Sequence, residues 1–261
     1  MKVRILSILI VLAVLVSCVS ACTTTASFLV KVMKLAPGDT YMITCMDAEK
    51  AVGDPDFDYI YDYMIDELTY TMGDIDVSDV SDMAIIETDW DYIYVLTGSF
   101  DLREVRDFLT EWDFVDGEYR EIEIWTDDYD YAAAFIGNTI IVGDKDEVEA
   151  CIRRHKNEQS SMYDNEDMKA VADKLPAAVV HSVFGPDVLY DIEVLSGGIC
   201  LRNSTSGDDV LDMSGWLNFD SEASAEDAMT EDIEDDLGWE FDIYNVDAHL
   251  SGQFIEFSGD Y

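Results

Sequence analysis

The sequence predicts an α+β fold: a duplicated unit of antiparallel β-sheet with helices packed on one face. Three observations support this prediction. Short segments that alternate apolar and polar residues, which is typical of strands, recur between segments with helical spacing of apolar residues. Turn signals separate these segments at short intervals. The order strand, helix, strand and hairpin also occurs twice along the chain.

The first half begins with a strand over 40–46, directly after the turn Pro37-Gly38-Asp39. A helix is predicted over 57–68, because apolar residues recur there every three or four positions. Two strands follow, over 83–87 and 92–97.

A second helix of this half begins at Asp101, with Glu104 three residues later in the spacing of a capping pair. A strand over 119–125 comes next. The turn Gly137-Asn138 between two apolar segments predicts a hairpin, and Asp144 then caps a further helix.

The second half has the same order of elements. A strand is predicted over 210–219, and a helix over 221–236 ends before Gly238. A strand over 239–246 and a hairpin at Gly252-Gln253 close the chain.

Two offsets favour a duplication of this unit. Phe100-Asp101 and Phe219-Asp220 each precede a helix and lie 119 residues apart. The hairpin turns Gly137-Asn138 and Gly252-Gln253 lie 115 residues apart. A four-residue difference in loop length reconciles the two offsets.

The N-terminus has the pattern of a secretory signal: basic residues, then an uncharged apolar stretch over 5–16. Cys18 and Cys22 each follow small residues in the pattern of a bacterial lipobox, and we predict lipidation of one of the two. Two or more acyl chains would hold the protein stably on a membrane. Two alternatives stay open: ordinary secretion after cleavage, and an uncleaved membrane helix over 5–22, which at about 27 Å is just short of a typical span.

We therefore expect four parts along the chain. They are a lipoprotein-type signal peptide or anchor over 1–22, a tether over 23–36, a first α+β half over 37–160 and a second α+β half over 161–261.

Charge limits the classes of partner. The chain of 261 residues has 57 acidic and 15 basic side chains, which gives a formal net charge of −42. This charge excludes a nucleic-acid binder, because phosphates would be repelled. It also argues against contact between the body of the protein and anionic lipid. Aspartates outnumber glutamates by 38 to 19, which is typical of proteins adapted to salt.

Several motifs together resemble a known family. They are Pro37-Gly38-Asp39-Thr40, Gly98-Ser99-Phe100-Asp101, Asn138-Thr139-Ile140-Ile141-Val142-Gly143, the run from Ser160 to Met168, and Leu175-Pro176. In this order they resemble the exported prokaryotic proteins of domain of unknown function 3352, over 37–261. The resemblance implies a membrane-associated α+β protein, and it carries over no catalytic residue.

Catalytic motifs are scarce. The histidines His155, His181 and His249 are scattered, and no nucleophile, zinc or phosphate-loop motif accompanies them. Cys45, Cys151 and Cys200 are odd in number, and we expect them to be small buried hydrophobic residues. We therefore predict no catalytic residue.

Calcium is the ion that the acidic loops suit best, since it takes six to eight oxygen ligands. Asp54, Asp56 and Asp58 have the spacing of an EF-hand, but Tyr59 and Ile65 occupy the positions that need Gly and Glu. Two sets of candidate metal ligands remain: the loop with Asp74, Asp76, Asp79 and Asp82, and the cluster of Asp127, Asp128 and Asp130. The alternative is a solvated acidic surface with diffuse counterions. Asn203 begins the glycosylation sequon Asn203-Ser204-Thr205.

These observations predict a membrane-anchored, surface-exposed acidic lipoprotein that faces the extracytoplasmic side. We expect it to act by binding or as a structural protein, without catalysis. The alternative is an exported hydrolase that uses a carboxylate pair or a calcium ion. No cofactor is expected other than Ca²⁺ or another divalent cation. The expected partner is the membrane, reached through the N-terminal lipid or helix, and a protein or small-molecule partner stays open.

Overall fold

The computed structural model describes residues 24–72, 79–88, 91–190, 192–204, 210–230 and 233–261. Within these ranges the strands form one twelve-stranded sheet in which every neighbouring pair is antiparallel. The strands are β1 (Met42–Asp47), β2 (Val80–Glu87), β3 (Tyr92–Gly98), β4 (Val115–Tyr119), β5 (Ile122–Thr126), β6 (Tyr131–Ile136), β7 (Thr139–Asp144), β8 (Val180–Phe184), β9 (Ser196–Asn203), β10 (Leu211–Asn218), β11 (Tyr244–Ser251) and β12 (Phe254–Asp260).

Eight α-helices are described in the same part of the chain. They are α1 (Thr24–Met33), α2 (Ala48–Ala51), α3 (Asp58–Met72), α4 (Leu102–Glu111), α5 (Lys145–His155), α6 (Glu166–Ala172), α7 (Glu222–Met229) and α8 (Ile233–Phe241). A 3₁₀ turn, Met162–Asp164, precedes α6. Among these described helices, none is both long enough and apolar enough to cross a membrane.

The strand order places the two halves of the chain side by side. It runs β11-β12-β10-β9-β8-β1-β2-β3-β7-β6-β5-β4. At the centre β1 pairs with β8, with Cys45 opposite His181. Moving outward from this pair, each half has three consecutive strands and then a hairpin in reversed order. The hairpin of β4 and β5 extends the sheet beyond β6 in the first half. The fold is therefore α+β with a large antiparallel sheet.

Helices cover both faces of this sheet. One apolar core contains buried residues of α3, α4, α7 and α8, and the other contains buried residues of α1, α5 and α6. The reason lies in the central strands, where consecutive residues are apolar: Ile85 belongs to the first core and Ile86 to the second. The expectation that helices pack on one face is corrected accordingly.

The segment predicted as a tether, 23–36, is largely a core helix. In α1 the side chains of Phe28, Leu29, Val32 and Met33 are buried against the sheet. Their spacing forms an apolar stripe on one face of a helix. The tether was predicted from the polar stretch Thr23 to Ser27 that precedes this stripe. The body of the protein therefore begins close behind the predicted anchor.

One predicted helix and its following strand also differ. The helix predicted over 221–236 consists of α7 and α8, and α8 continues to Phe241, so that Gly238 lies inside it. Ile233, Leu237 and Phe241 have helical spacing and point into the core. This packing prevails over the alternation that predicts a strand from 239, and β11 begins at Tyr244.

Candidate functional site

The predicted lipidation and metal residues are only partly described by the structure. Cys18, Cys22, Asp74 and Asp76 lie outside the described residues. Asp82 lies on β2, and its Oδ2 accepts hydrogen bonds from Thr97 Oγ1 at 2.8 Å and Ser81 Oγ at 3.1 Å. Asp79 is exposed just before β2. In the described part of the chain, no three His, Cys, Asp or Glu side chains come together as metal ligands.

The sequon asparagine is exposed at the end of β9. Its Nδ2, the atom that glycosylation would modify, donates a hydrogen bond of 2.8 Å to Oδ2 of Asp54. This contact joins the second half of the chain to the loop before α3. A glycan on Asn203 would replace one of the two Nδ2 hydrogens, so only the other would be left for this hydrogen bond.

The three cysteines in the described residues are free and buried, as the sequence predicts. Burial raises the pKa of Cys151 to about 12, because the thiolate would lose its hydration. Burial also raises the pKa of Cys45, where Asp82 adds to the effect, and that of Cys200. These thiols stay protonated at neutral pH and are poor nucleophiles.

The histidines are equally unsuited to a catalytic triad. His181 is fully buried, and its Nε2 lies 2.7 Å from the backbone oxygen of Pro176. Burial lowers the pKa of His181, so the ring is neutral at pH 7. His249 is exposed on β11, where its Nε2 lies 3.2 Å from Oδ2 of Asp247.

A different site emerges where α1 meets the end of α5. A cavity of about 490 Å³ opens between α1, the end of α5, the β6–β7 turn and the 3₁₀ turn. Lys31, Lys34 and Arg154 line it, together with His155. We call it the basic pocket. Four basic side chains around one cavity contrast with a net charge of −42 for the whole chain.

Helix geometry explains how α1 and the residues directly after it contribute to one side of the wall. Residues 27, 30, 31 and 34 lie at intervals of three and four and face the pocket. The opposite stripe of α1 is apolar and lies in the core. Arg154 and His155 come from the last turn of α5, where positive charge is favourable because the carbonyl ends of the helix dipole are exposed.

Burial lowers the pKa values of Lys31 and His155 in the pocket, and neighbouring positive charges lower that of His155 further. Lys31 is half-buried, and its Nζ donates a hydrogen bond of 2.6 Å to Oγ1 of Thr139. Burial lowers the pKa of Lys31, although the charge of Asp82 partly opposes this. The pKa of His155 is also lowered, first by burial and then by the charges of Lys156 and Lys31. An anion in the pocket would raise both pKa values again.

The remaining cations contact neutral groups. Lys34 Nζ lies 4.9 Å from the ring centre of Tyr163, on which Lys169 also packs at 4.9 Å. Arg154 Nε donates to the backbone oxygen of Ser160 at 3.1 Å. Its Nη1 is buried and has no hydrogen-bond partner among the described residues.

Carboxylates act on these cations only from beyond ion-pair distance: the charge of Asp82 acts on Lys31, and Arg154 acts on Glu147. In the part of the chain that the structure describes, no carboxylate oxygen lies within 4.0 Å of Lys31, Lys34 or Arg154. Asp164 is the one carboxylate among the described lining residues. It accepts from Ser161 N at 2.7 Å and Ser161 Oγ at 2.9 Å, and these bonds lower its pKa.

A second cleft, of about 620 Å³, adjoins the basic pocket and shares Arg154 with it. Carboxylates of Asp39, Asp91, Asp146 and Glu147 line this cleft. Burial raises the pKa of Glu147, and the charges of Asp91, Asp144 and Asp39 add to the effect while Arg154 opposes it. An acid with a raised pKa beside ionised carboxylates is the kind of arrangement that a hydrolase uses.

Sequence reasoning missed the basic pocket because its residues are about 120 positions apart. One signal was available. Five of the 15 basic residues fall in two short segments, 31–34 and 153–156. Such clustering is conspicuous in a chain with so few cations.

Comparison with known proteins identifies relatives by fold. No protein-family model and no curated protein matches the chain. Among solved structures, crystal form I of TP0453 matches with a TM-score of 0.54 and 7% identity, over 88% of this chain and 92% of that one. Crystal form IV of TP0453 gives 0.51 and 6%, over 87% and 91%. The chain is thus similar in fold to TP0453 over nearly its whole length.

Proposed function

We propose that this chain is a lipid-anchored acidic protein on the extracytoplasmic side of a membrane, and that it binds a small anion in the basic pocket without catalysing a reaction. The lipobox pattern at Cys18 and Cys22 supports the anchor. The position of α1 is consistent with it, because α1 begins two positions after Cys22 and the first buried side chain of the described residues is Phe28.

One observation carries the binding proposal. Lys31, Lys34 and Arg154 converge on one cavity, and no carboxylate oxygen of the described residues lies within 4.0 Å of them, in a chain with 57 acidic residues. Like charges that face each other oppose folding unless an opposite charge is added. The six acid-paired Lys and Arg residues, such as Arg106 with Glu123 at 2.7 Å, show that partners are available elsewhere on the chain. A bound anion would complete the pocket.

The chemistry of the wall suggests the size and type of ligand. Hydroxyl groups of Thr139, Ser161 and Tyr163 and the amides of Asn157 and Gln159 surround the cations. These groups suit an oxyanion such as sulfate, phosphate or a carboxylate on a small organic molecule. A cavity of about 490 Å³ has room for more than the anionic group alone.

The test is calorimetry on the full chain purified in a neutral detergent. Sulfate is the first probe, because its charge is constant between pH 5 and 8. We expect wild-type protein to bind it and Lys31→Gln/Lys34→Gln to bind at least about tenfold more weakly, since each charge-assisted hydrogen bond contributes about 1.5–3 kcal/mol. Arg103→Gln/Lys145→Gln removes the same charge outside the pocket and serves as the control. Equal binding by both double variants would contradict the proposal.

The same titration tests the role of His155. Because its pKa is lowered in the free protein and an anion raises it, binding takes up a proton. Affinity for sulfate should therefore increase as the pH falls from 7.5 to 5.5. His155→Gln should remove most of this dependence and leave binding at pH 7.5 nearly unchanged.

An exported hydrolase is the second candidate, and the cleft around Glu147 is the observation that favours it. In that mechanism Glu147 would be the general acid and Asp91 or Asp39 the ionised partner. Hydrolysis of glycoside and ester model substrates that is abolished by Glu147→Gln would support this candidate. Hydrolysis that is equal in the wild type and the variant would exclude a role for Glu147.

We also infer that the two halves derive from one duplicated unit. The supporting observation is that β1, β2, β3, β7 and β6 occupy the same order as β8, β9, β10, β12 and β11. In this correspondence α1 matches α6, since each precedes its central strand. The basic pocket belongs to the first copy, where α5 covers the hairpin of β6 and β7.

A further inference from the structure

We propose that the anion in the basic pocket is the phosphate group of an anionic phospholipid in the membrane to which the chain is anchored. This inference rests on the proposed function and names its ligand. Three features support it: the short length of chain between Cys22 and the pocket, the cations that cluster in the pocket, and the apolar residues that line the pocket beside them.

The covalent chain keeps the pocket near the anchor. One residue, Thr23, separates Cys22 from the start of α1 at Thr24, and the two Cα–Cα steps span about 7 Å at full extension. Ser27, the first residue of the pocket wall, follows three helical residues later, or about 4.5 Å along the axis. Its Cα therefore lies within about 12 Å of the Cα of Cys22. Anchoring at Cys18 would extend this limit by about 14 Å.

Because the pocket lies close to the anchor, the charges around the pocket affect the interaction with the membrane more than the net charge of −42 does. Electrostatic forces decay over about 8 Å at physiological salt, so a membrane responds to the nearest side of the protein. On the anchored side, Lys31 and Lys34 from α1 lie with Arg154 from α5. Lys169 adds a further cation beside Tyr163. Anionic lipid is therefore attracted at the basic pocket itself, whereas the adjoining cleft of Asp39, Asp91, Asp146 and Glu147 repels it, so contact is confined to the pocket.

The cations of the pocket suit a phosphate group. Arg154 lines the pocket, and a guanidinium presents its donors in a fork that matches two oxygens of a phosphate or a carboxylate. The two lysine ammonium groups supply point charges for the same group. A phosphodiester shares one negative charge between two oxygens and holds two ester oxygens beside them in a tetrahedral arrangement. It can therefore accept from donors on both sides of the pocket, whereas the two oxygens of a carboxylate lie in one plane.

An apolar wall distinguishes a lipid from a free phosphate. Val30, Leu35 and Ile136 line the pocket beside the cations. Leu35 is buried in the core, while Val30 and Ile136 are half-buried at the pocket surface. A free phosphate has no group to place against them. The glycerol and first methylenes of a phospholipid do, and their contact would remove this apolar surface from water.

The test uses the full lipidated chain in vesicles and follows the reaction of individual lysines with a neutral amine reagent by mass spectrometry. Three vesicle types are compared at 0.15 M NaCl: phosphatidylcholine alone, phosphatidylcholine with phosphatidylglycerol, and phosphatidylcholine with oleate at the same negative charge. We expect Lys31 and Lys34 to react about tenfold more slowly with phosphatidylglycerol than in the other two. Lys145 should react equally in all three and is the internal control.

The outcomes separate the sources of phosphate. Equal protection by oleate would overturn the phosphate assignment, because charge alone would then suffice. Equal protection in phosphatidylcholine vesicles by 5–10 mM inorganic phosphate, a range of roughly weak-ligand affinity, would overturn the lipid assignment. No protection in any vesicle, with sulfate still bound in detergent, would overturn this inference and leave the proposed function intact. Failure to bind sulfate as well would overturn both.

A second readout does not depend on lysine reactivity. The unfolding midpoint of the wild type should be higher in phosphatidylglycerol vesicles than in phosphatidylcholine, because a ligand that binds only the native state stabilises it. Arg154→Met should lose this difference between the two vesicle types, each variant being compared with itself in phosphatidylcholine. An undiminished difference in this variant would contradict the role assigned to Arg154.

Discussion

Replacing Gly215 by alanine should destabilise the fold strongly, and the structure gives the reason. Gly215 on β10 lies opposite Phe257 on β12. An added Cβ would lie 2.6 Å from Cε1 of Phe257 and 2.7 Å from the backbone oxygen of Gly198. Carbon atoms in contact are normally about 3.5–4.0 Å apart, so the ring would have to move by roughly 1 Å.

The ring of Phe257 has little room to move. It is 1% exposed, and it stacks on Phe241 with ring centres 5.4 Å apart. Overpacking of this kind costs about 1–3 kcal/mol, and the clash with a backbone oxygen places Gly215→Ala near the upper value. Loss of chain entropy in the unfolded state offsets less than about 1 kcal/mol. We expect a net loss of about 2 kcal/mol, or a fall in the unfolding midpoint of roughly 4–8 °C.

Urea denaturation of a double-mutant cycle tests this reasoning. Phe257→Leu alone should cost about 1.5 kcal/mol through lost packing. Combined with Gly215→Ala it should cost about 1 kcal/mol less than the sum, because the smaller side chain relieves the ring clash but not the contact with Gly198. Gly38→Ala, whose Cβ would meet nothing closer than 3.9 Å, should change stability by less than about 0.5 kcal/mol. Additive effects in the cycle would refute the argument.

Three further predictions concern charge. Burial and the charge of Glu67 raise the pKa of Glu87. The native state therefore binds more protons than the unfolded state, and the ionised Glu87 is destabilising at high pH. Glu87→Gln should raise the urea midpoint at pH 8, and this gain should shrink towards pH 5. Arg106→Gln should cost about 0.5–1 kcal/mol at pH 7, since its two 2.7 Å bonds to Glu123 are partly exposed. The hydrogen bond from Arg106 lowers the pKa of Glu123, so this cost should fade as the pH drops through that pKa, and a constant cost would argue against it. NaCl should raise the thermal midpoint of the wild type because it screens a net charge of −42; CaCl₂ at equal ionic strength acts further only if Asp79 or Asp82 belongs to a specific site.

Local patterns were sufficient for the elements that show either a continuous apolar run or a helical spacing of apolar residues. The strand predicted over 92–97 is Tyr92–Gly98, and the helix predicted over 57–68 is Asp58–Met72. Asp101 and Asp144 cap their helices by accepting hydrogen bonds from the backbone, as predicted. These features depend on neighbours in sequence, which is why the sequence alone reveals them.

Elements that depend on distant neighbours were missed. No strand is predicted over Ser196–Asn203, because Gly197 and Gly198 remove the apolar pattern there. The structure shows why side chains are absent: Phe184 and Val171 occupy the space where a Cβ would lie. The apolar surface of β9 is thus supplied by residues of β8 and α6, and the sequence of β9 by itself does not contain that information.

The basic pocket, too, depends on residues that are distant in sequence, and its local charge differs from the net charge of the chain. A sum over the whole chain, −42, predicts repulsion from every anion, but the force on a ligand comes from groups within about 8–10 Å. Lys31 and Arg154 line one cavity only after β1, β2, β3 and β7 align in the sheet and carry α1 and α5 onto the same face. An acidic chain can therefore present a cationic site wherever two of its few basic segments meet. Because its other surfaces repel the same anions, such a site also selects the orientation in which the protein meets an anionic membrane.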